Sequence, residues 1–157
     1  MAAASLSERP LQLSLGTAWV GNYAMARDAR WSSPFHLVLP SPVDDGWLSV
    51  QPLLTGNVSW DWAIEAMVHV DRRRAIPKLA AIFDDSLLPP EGLACLPWLN
   101  MPNVLWPGPI GAVAFFGISA GTSRKDLLRA VAAAMCYETR RVFEPLVSGG
   151  VVDAAFL

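Results

Sequence analysis

Residues 111–147 read GAVAFFGISAGTSRKDLLRAVAAAMCYETRRVFEPLV, and they divide into an apolar run, a glycine-punctuated turn and a long amphipathic segment. The run 112–116 is short and lies between Gly111 and Gly117, the pattern of a strand buried on both faces, and it is read as a central strand. Ser123, with Asp126 three residues later, carries a capping-box signature: the hydroxyl satisfies free donors of a first helical turn, and the acid sits at the positive helix end. Leu127, Leu128, Val131, Ala134, Met135, Val142 and Leu146 then recur at spacings of three and four. They predict a helix of about six turns, with one stripe against a core while Arg124, Lys125, Arg140 and Arg141 stay wet.

Within this stretch Gly117-Ile118-Ser119-Ala120-Gly121 matches the G-x-S-x-G nucleophile elbow of α/β-hydrolases, strand before and helix after included. That fold places its acid and its histidine after the serine, whereas His36 and His69 both precede Ser119. A serine without a base is a poor nucleophile at neutral pH, so a turn serine between small residues is the better reading. Serine hydrolysis at Ser119 and a non-catalytic interaction module stand as alternatives.

Composition narrows the classes. A chain of 157 residues can bury about 70% of its unfolded surface, enough for one domain or one lobe of a larger protein. A net charge of -2 gives no positive face with which to displace counterions, so nucleic acid is not an expected partner. Cys95 and Cys136 form neither a C-x-x-C nor a His/Cys cluster, and they read as two buried thiols in a reducing, cytoplasmic compartment with no metal ligands among them. Residues 1–15 hold Glu8, Arg9 and Pro10 instead of a signal sequence, and no apolar run reaches about 18 residues, so no membrane is expected. The sequon Asn57-Val58-Ser59 carries no weight without secretion. With 53% hydrophobic residues, seven tryptophans and only 17% charged residues, the chain is expected to expose apolar patches and to self-associate.

Residues 11–20, LQLSLGTAWV, alternate apolar and polar before Gly16-Thr17, which predicts a strand entering a tight turn where backbone can approach a phosphate closely. Residues 35–39 and 47–54, split by a Pro/Asp/Gly-rich turn, read as two strands of a meander, and His36 as a strand histidine. A helix should start at residues 55–62 and run to about residue 70, with Trp62, Ala66 and Met67 inward. Asp71-Arg72-Arg73-Arg74 reads as a solvated corner, and residues 75–85 as a short helix ahead of Pro89-Pro90.

Several of these pieces resemble one family. The run G-A-x-A-F-F-G-I-S-x-G-T-S-R-x-D-L-L-R-A-V, followed by Tyr137-Glu138-Thr139-Arg140-Arg141-Val142, resembles the C-terminal lobe of the FGGY carbohydrate kinases. Gly121-Thr122 stands where a His-Thr pair is common there, and Ala133-Ala134 where Glu-Gly is usual. Ser14-Leu15-Gly16-Thr17-Ala18-Trp19-Val20 resembles that family's second phosphate motif, and Gly56 matches its nucleotide-side glycine ahead of a tryptophan, Trp60 or Trp62. The resemblance implies an α/β fold of the ribonuclease-H-like, actin-like ATPase kind, a lobe with a mixed sheet and packed helices. It implies ATP and Mg²⁺ as cofactors, a sugar or polyol as phosphoryl acceptor, and Gly16, Thr17 and Gly56 as cofactor-binding residues. In the family a catalytic aspartate precedes the helix that Met1-Ala2-Ala3-Ala4-Ser5-Leu6 resembles, and an adenine-binding G-G-G follows the strand that residues 151–157 resemble. The expectation is therefore a partial nucleotide-side lobe, with the N-terminal sugar lobe and the adenine motif outside residues 1–157 and no activity of the chain alone.

Overall fold

Alternating residues early in the chain form a hairpin of β1 (Pro10–Leu15) and β2 (Trp19–Met25) in the computed structural model, which describes residues 10–28, 37–53, 55–68, 78–99, 112–148, 152 and 154–156. His36, His69, the Asp71-Arg72-Arg73-Arg74 cluster, the first part of the expected 75–85 helix and the N-terminal small-residue segment lie outside the described residues. The meander continues through β3 (Leu37–Pro40) and β4 (Trp47–Leu53), both antiparallel to their neighbours. Near the other end of the chain β7 (Ala154–Phe156) pairs parallel to β1, completing a five-stranded mixed sheet of order β3-β4-β2-β1-β7.

Cross-strand partners share a sheet face. Leu13 faces Gly21, which faces Gln51, and Tyr23 faces Ser49, so these residues line one side together with Leu11. Helix α2 (Arg124–Ser148) covers that side, and Leu11, Leu13, Tyr23, Met25, Phe143, Leu146 and Val152 make a buried cluster. Gly21 permits the closest approach: a Cβ there would overlap the Phe143 ring, with Cζ only 2.6 Å away. On β4 the usual pattern is inverted. Polar Ser49 and Gln51 are buried under the helix layer, while half-buried Leu48, Val50 and Pro52 face the opposite way. Leu37 and Leu39, opposite Val50 and Leu48, extend this second face and are 61% and 48% exposed.

The second core lies beside the sheet, where α1 (Asn57–Val68), α2 and a two-stranded antiparallel sheet of β5 (Ala94–Pro97) and β6 (Val113–Phe116) meet. Ala63, Leu93, Cys95, Leu128, Val131 and Met135 are buried there, with Val113 and Phe115 packed against them. The expectation of a central strand at residues 112–116 is corrected. Among the described residues β6 pairs only with β5; it is half-buried over Val113–Phe115 and leaves Phe116 54% exposed. Gly111 lies outside the described residues, and the Gly117 boundary has another cause: Gly117 has φ +77° and Gly92 φ +82°, and a Cβ on Gly117 would lie 2.8 Å from the Gly92 carbonyl carbon. The two glycines close the open end of the β5–β6 hairpin.

Helix α2 starts as its sequence signature requires. The Ser123 Oγ and backbone N–H both donate to Asp126 Oδ2, at 2.7 and 2.9 Å, and the Asp126 N–H donates back to Ser123 Oγ at 3.2 Å. Arg124 and Arg140 are exposed as expected, while Arg141 is half-buried and its Nη2 donates to Glu138 at 2.7 Å. Helix α1 packs Trp62 and Met67 against the second core as expected, whereas Ala66 is exposed and Ser59, Ala63 and Ile64 are its buried residues. The Ser59 hydroxyl donates to the Pro97 carbonyl at 2.8 Å inside the core. Of the two cysteines only Cys95 is buried; Cys136 is exposed, because on α2 it falls on the side turned from the second core.

Candidate phosphate site at the β1–β2 turn

Gly16, Thr17 and Ala18 form the three-residue connection between Leu15 and Trp19, which are cross-strand partners. The amino end of α1 packs directly onto this connection. The Asn57 N–H donates to the Gly16 carbonyl at 3.3 Å and the Val58 N–H to the Thr17 carbonyl at 3.4 Å. Two of the first helical donors are thus satisfied by the turn. The Asn57 side chain adds two bonds: Nδ2 donates to the Leu15 carbonyl at 3.3 Å, and Oδ1 accepts from Trp19 Nε1 at 3.2 Å.

Gly56 makes this packing possible. A Cβ there would lie 2.6 Å from the Trp19 nitrogen and 2.8 Å from the Thr17 carbonyl oxygen, both backbone atoms that cannot swing aside. The structure therefore brings Gly16, Thr17 and Gly56 together, although they are separated by about 40 residues in sequence. They are not equivalent. Gly56 is buried beneath the turn, whereas Gly16 and Thr17 are exposed on it. A Cβ on Gly16 would meet only the Ala18 carbonyl oxygen at 3.5 Å, so the fold itself does not demand glycine there.

The exposed Thr17 hydroxyl and the open space before Gly16 suit an anionic oxygen. Because α1 gives its leading donors to the turn, an anion at this site has to be met by the turn itself. Among the described residues no three His, Cys, Asp or Glu side chains converge as a metal site. An apolar cavity of about 510 Å³ borders the turn on the α2 side, lined by Leu15, Trp19, Cys136, Phe143 and others.

The G-x-S-x-G segment is built for turning. The Ser119 N–H donates to Thr122 Oγ1 at 2.8 Å, the two hydroxyls lie 3.3 Å apart, and the Thr122 N–H returns to the Ser119 carbonyl at 3.1 Å. An elbow serine needs a central parallel strand beneath it, and β6 is one half of an antiparallel pair. The turn-serine reading fits and the hydrolase setting does not.

Ion pairs along α2 set the strongest electrostatics. Asp85 accepts from Lys125 and from Arg129, and the Lys125 ammonium ahead of the Arg129 guanidinium holds its carboxyl down at about 2. Arg129 is 4% exposed and also donates through Nε to the Ile82 carbonyl at 2.7 Å, which pins residues 82–85 to the helix. Asp126 is lowered by the Ser123 hydroxyl and then its N–H, and Glu144 by Arg140. Burial pushes the Cys95 thiol up to about 12. Sequence reasoning missed both Asn57 and Arg129. The sequon reading passed over Asn57's carboxamide, and an arginine on an apolar stripe gives no local sign of distant partners such as Ile82 and Asp85.

No family model and no curated protein matches the sequence. Solved structures do. The chain superposes on a xylulose kinase from Rhodospirillum rubrum with a TM-score of 0.72 at 21% identity, covering 87% of this chain and 27% of that one. A xylulose kinase from Bifidobacterium adolescentis gives 0.66 at 19% identity over 94% and 28%, and a gluconate kinase from Lactobacillus acidophilus 0.60 at 17% over 82% and 26%. The chain has the fold of a segment of these sugar kinases. It spans about a quarter of their length, and the shared fold is mixed α/β with helices packed on a mixed sheet.

Proposed function

We propose that residues 1–157 are the phosphate-holding part of the nucleotide-side lobe of an ATP-dependent carbohydrate kinase of the FGGY type, a lobe of ribonuclease-H-like, actin-like design. The observation that carries this reading is the convergence of Gly16, Thr17 and Gly56 at one turn on a fold shared with xylulose and gluconate kinases. The nucleotide supplies the phosphoryl group, and Mg²⁺ held by its phosphates neutralises their charge. This chain's residues bind and orient. The Thr17 hydroxyl donates to a phosphate oxygen, Gly16 lets backbone come close to it, and Gly56 lets α1 buttress the turn from beneath. The acceptor is a sugar or polyol hydroxyl, and the base that takes its proton lies outside residues 1–157. A cytoplasmic location and self-association through the apolar β3–β4 face belong to the same reading.

Titration of ¹⁵N-labelled protein with magnesium pyrophosphate and with Mg·ATP tests it. Amide shifts are expected at Gly16 and Thr17, and Thr17→Val should abolish them. Shifts confined to the Ser119 turn would overturn the placement.

A further inference from the structure

We infer that Asn57 is a positioning residue for the phosphate turn, an inference that rests on the reading just given. At the start of a helix an asparagine commonly turns its side chain onto its own helix's free donors. Asn57 does otherwise. Its carboxamide reaches across to the hairpin, donating to the Leu15 carbonyl at 3.3 Å and accepting from Trp19 Nε1 at 3.2 Å. Its backbone N–H meets the Gly16 carbonyl between them at 3.3 Å. Asn57 therefore touches the end of β1, the turn and the start of β2, with the Val58 N–H on the Thr17 carbonyl beside it at 3.4 Å. The two side-chain bonds flank the three-residue connection at Leu15 and Trp19, and Thr17 itself is exposed.

Both functional groups of the amide are matched to their partners: the Leu15 carbonyl needs a donor and the Trp19 indole an acceptor. Aspartate would keep the acceptor and lose the donor, and serine is too short to span the two strands. Gly56 brings Asn57 within reach, because any side chain at position 56 would drive the Trp19 nitrogen and the Thr17 carbonyl away. The turn is thereby held in one conformation before an anion arrives, and the ordering cost of binding falls.

The test uses Asn57→Ala and Trp19→Phe, which remove both side-chain bonds and one of them. The indole resonance absent from Trp19→Phe identifies Trp19 among the seven tryptophans. Without ligand, Asn57→Ala is expected to lower the heteronuclear NOE at Gly16, Thr17 and Ala18, with the amides of residues 60–68 unchanged and the Trp19 indole proton shifted. With magnesium pyrophosphate, its apparent Kd should rise about three- to tenfold, the weight of one or two ordinary hydrogen bonds, and Trp19→Phe should fall between it and the parent chain. A turn as ordered in Asn57→Ala as in the parent overturns the inference. So does a loosened turn that binds pyrophosphate as tightly as before. A parent chain whose turn ignores pyrophosphate removes the phosphate reading, and with it any ligand role for Asn57. If Asn57→Ala fails to fold, the graded response of Trp19→Phe decides by the same two readouts.

Discussion

Gly56 and Gly16 stand on opposite sides of one turn, and a single methyl group separates their roles. Gly56→Ala places a carbon 2.6 Å from the Trp19 nitrogen, so turn and helix must part, at a cost of about 1–3 kcal/mol. Gly16→Ala meets nothing nearer than 3.5 Å and should leave the melting temperature close to that of the parent while weakening the pyrophosphate shifts. Thermal denaturation of the two variants, side by side, checks the ranking. The cysteines divide in a similar way. Cys136 is exposed beside the apolar cavity, whereas Cys95 is buried with its thiol held near 12, so iodoacetamide should label Cys136 in the native protein and Cys95 only after unfolding. Mass spectrometry of the alkylated peptides reads this directly. Asp85 supplies a pH signature. Its folded value of about 2 lies below the ordinary 3.8, so the stabilisation it gives is present above about pH 4 and fades as pH falls toward 2. Asp85→Asn should flatten the acid limb of an unfolding curve over that window.

Helix α2 shows what sequence can and cannot disclose about an element. Its start was legible because the capping box is local: Ser123 and Asp126 satisfy each other within one turn, and Ser123→Ala is expected to cost about 1 kcal/mol in a urea titration. Its buried arginine was not legible. Besides Asp126, 3.8 Å away one turn earlier, the partners of Arg129 are Ile82 and Asp85, more than 40 residues back, and no pattern within the helix points to those two. Arg129→Met keeps the apolar stem but strands the Ile82 carbonyl, so a loss of about 1.5–3 kcal/mol is expected. The same rule separates the parts of the candidate site. Gly16-Thr17 could be read from the alternation that leads into the turn, while Asn57 could not, since it works on Leu15 and Trp19 across 42 and 38 positions. The strand β6 was found but misplaced. Flanking glycines and an apolar run describe a central strand and a glycine-closed hairpin equally well, and only the left-handed backbone at Gly117 decides between them.

At the scale of the molecule, the proposed reading bears on activity. It puts the base that takes the acceptor's proton outside residues 1–157, and a positioned base contributes about a hundredfold or more to proton transfer. Residues 1–157 alone are then expected to release no ADP in response to xylulose or gluconate above a protein-free control. A coupled assay that found such release would place the base within the chain. The second sheet face bears on assembly: Leu37, Leu39, Leu48, Val50 and Pro52 share one face, with Leu37 and Leu39 exposed, and if copies associate there as proposed, light scattering should find mass rising with concentration. Leu39→Lys should reduce it. The seat of Phe143 on Gly21 has a mechanical consequence. With the ring set into the gap left by a missing side chain, α2 is keyed to the sheet and cannot slide along it. A displacement imposed on α2 is then expected to carry β1 and β2, and with them the turn at Gly16 and Thr17.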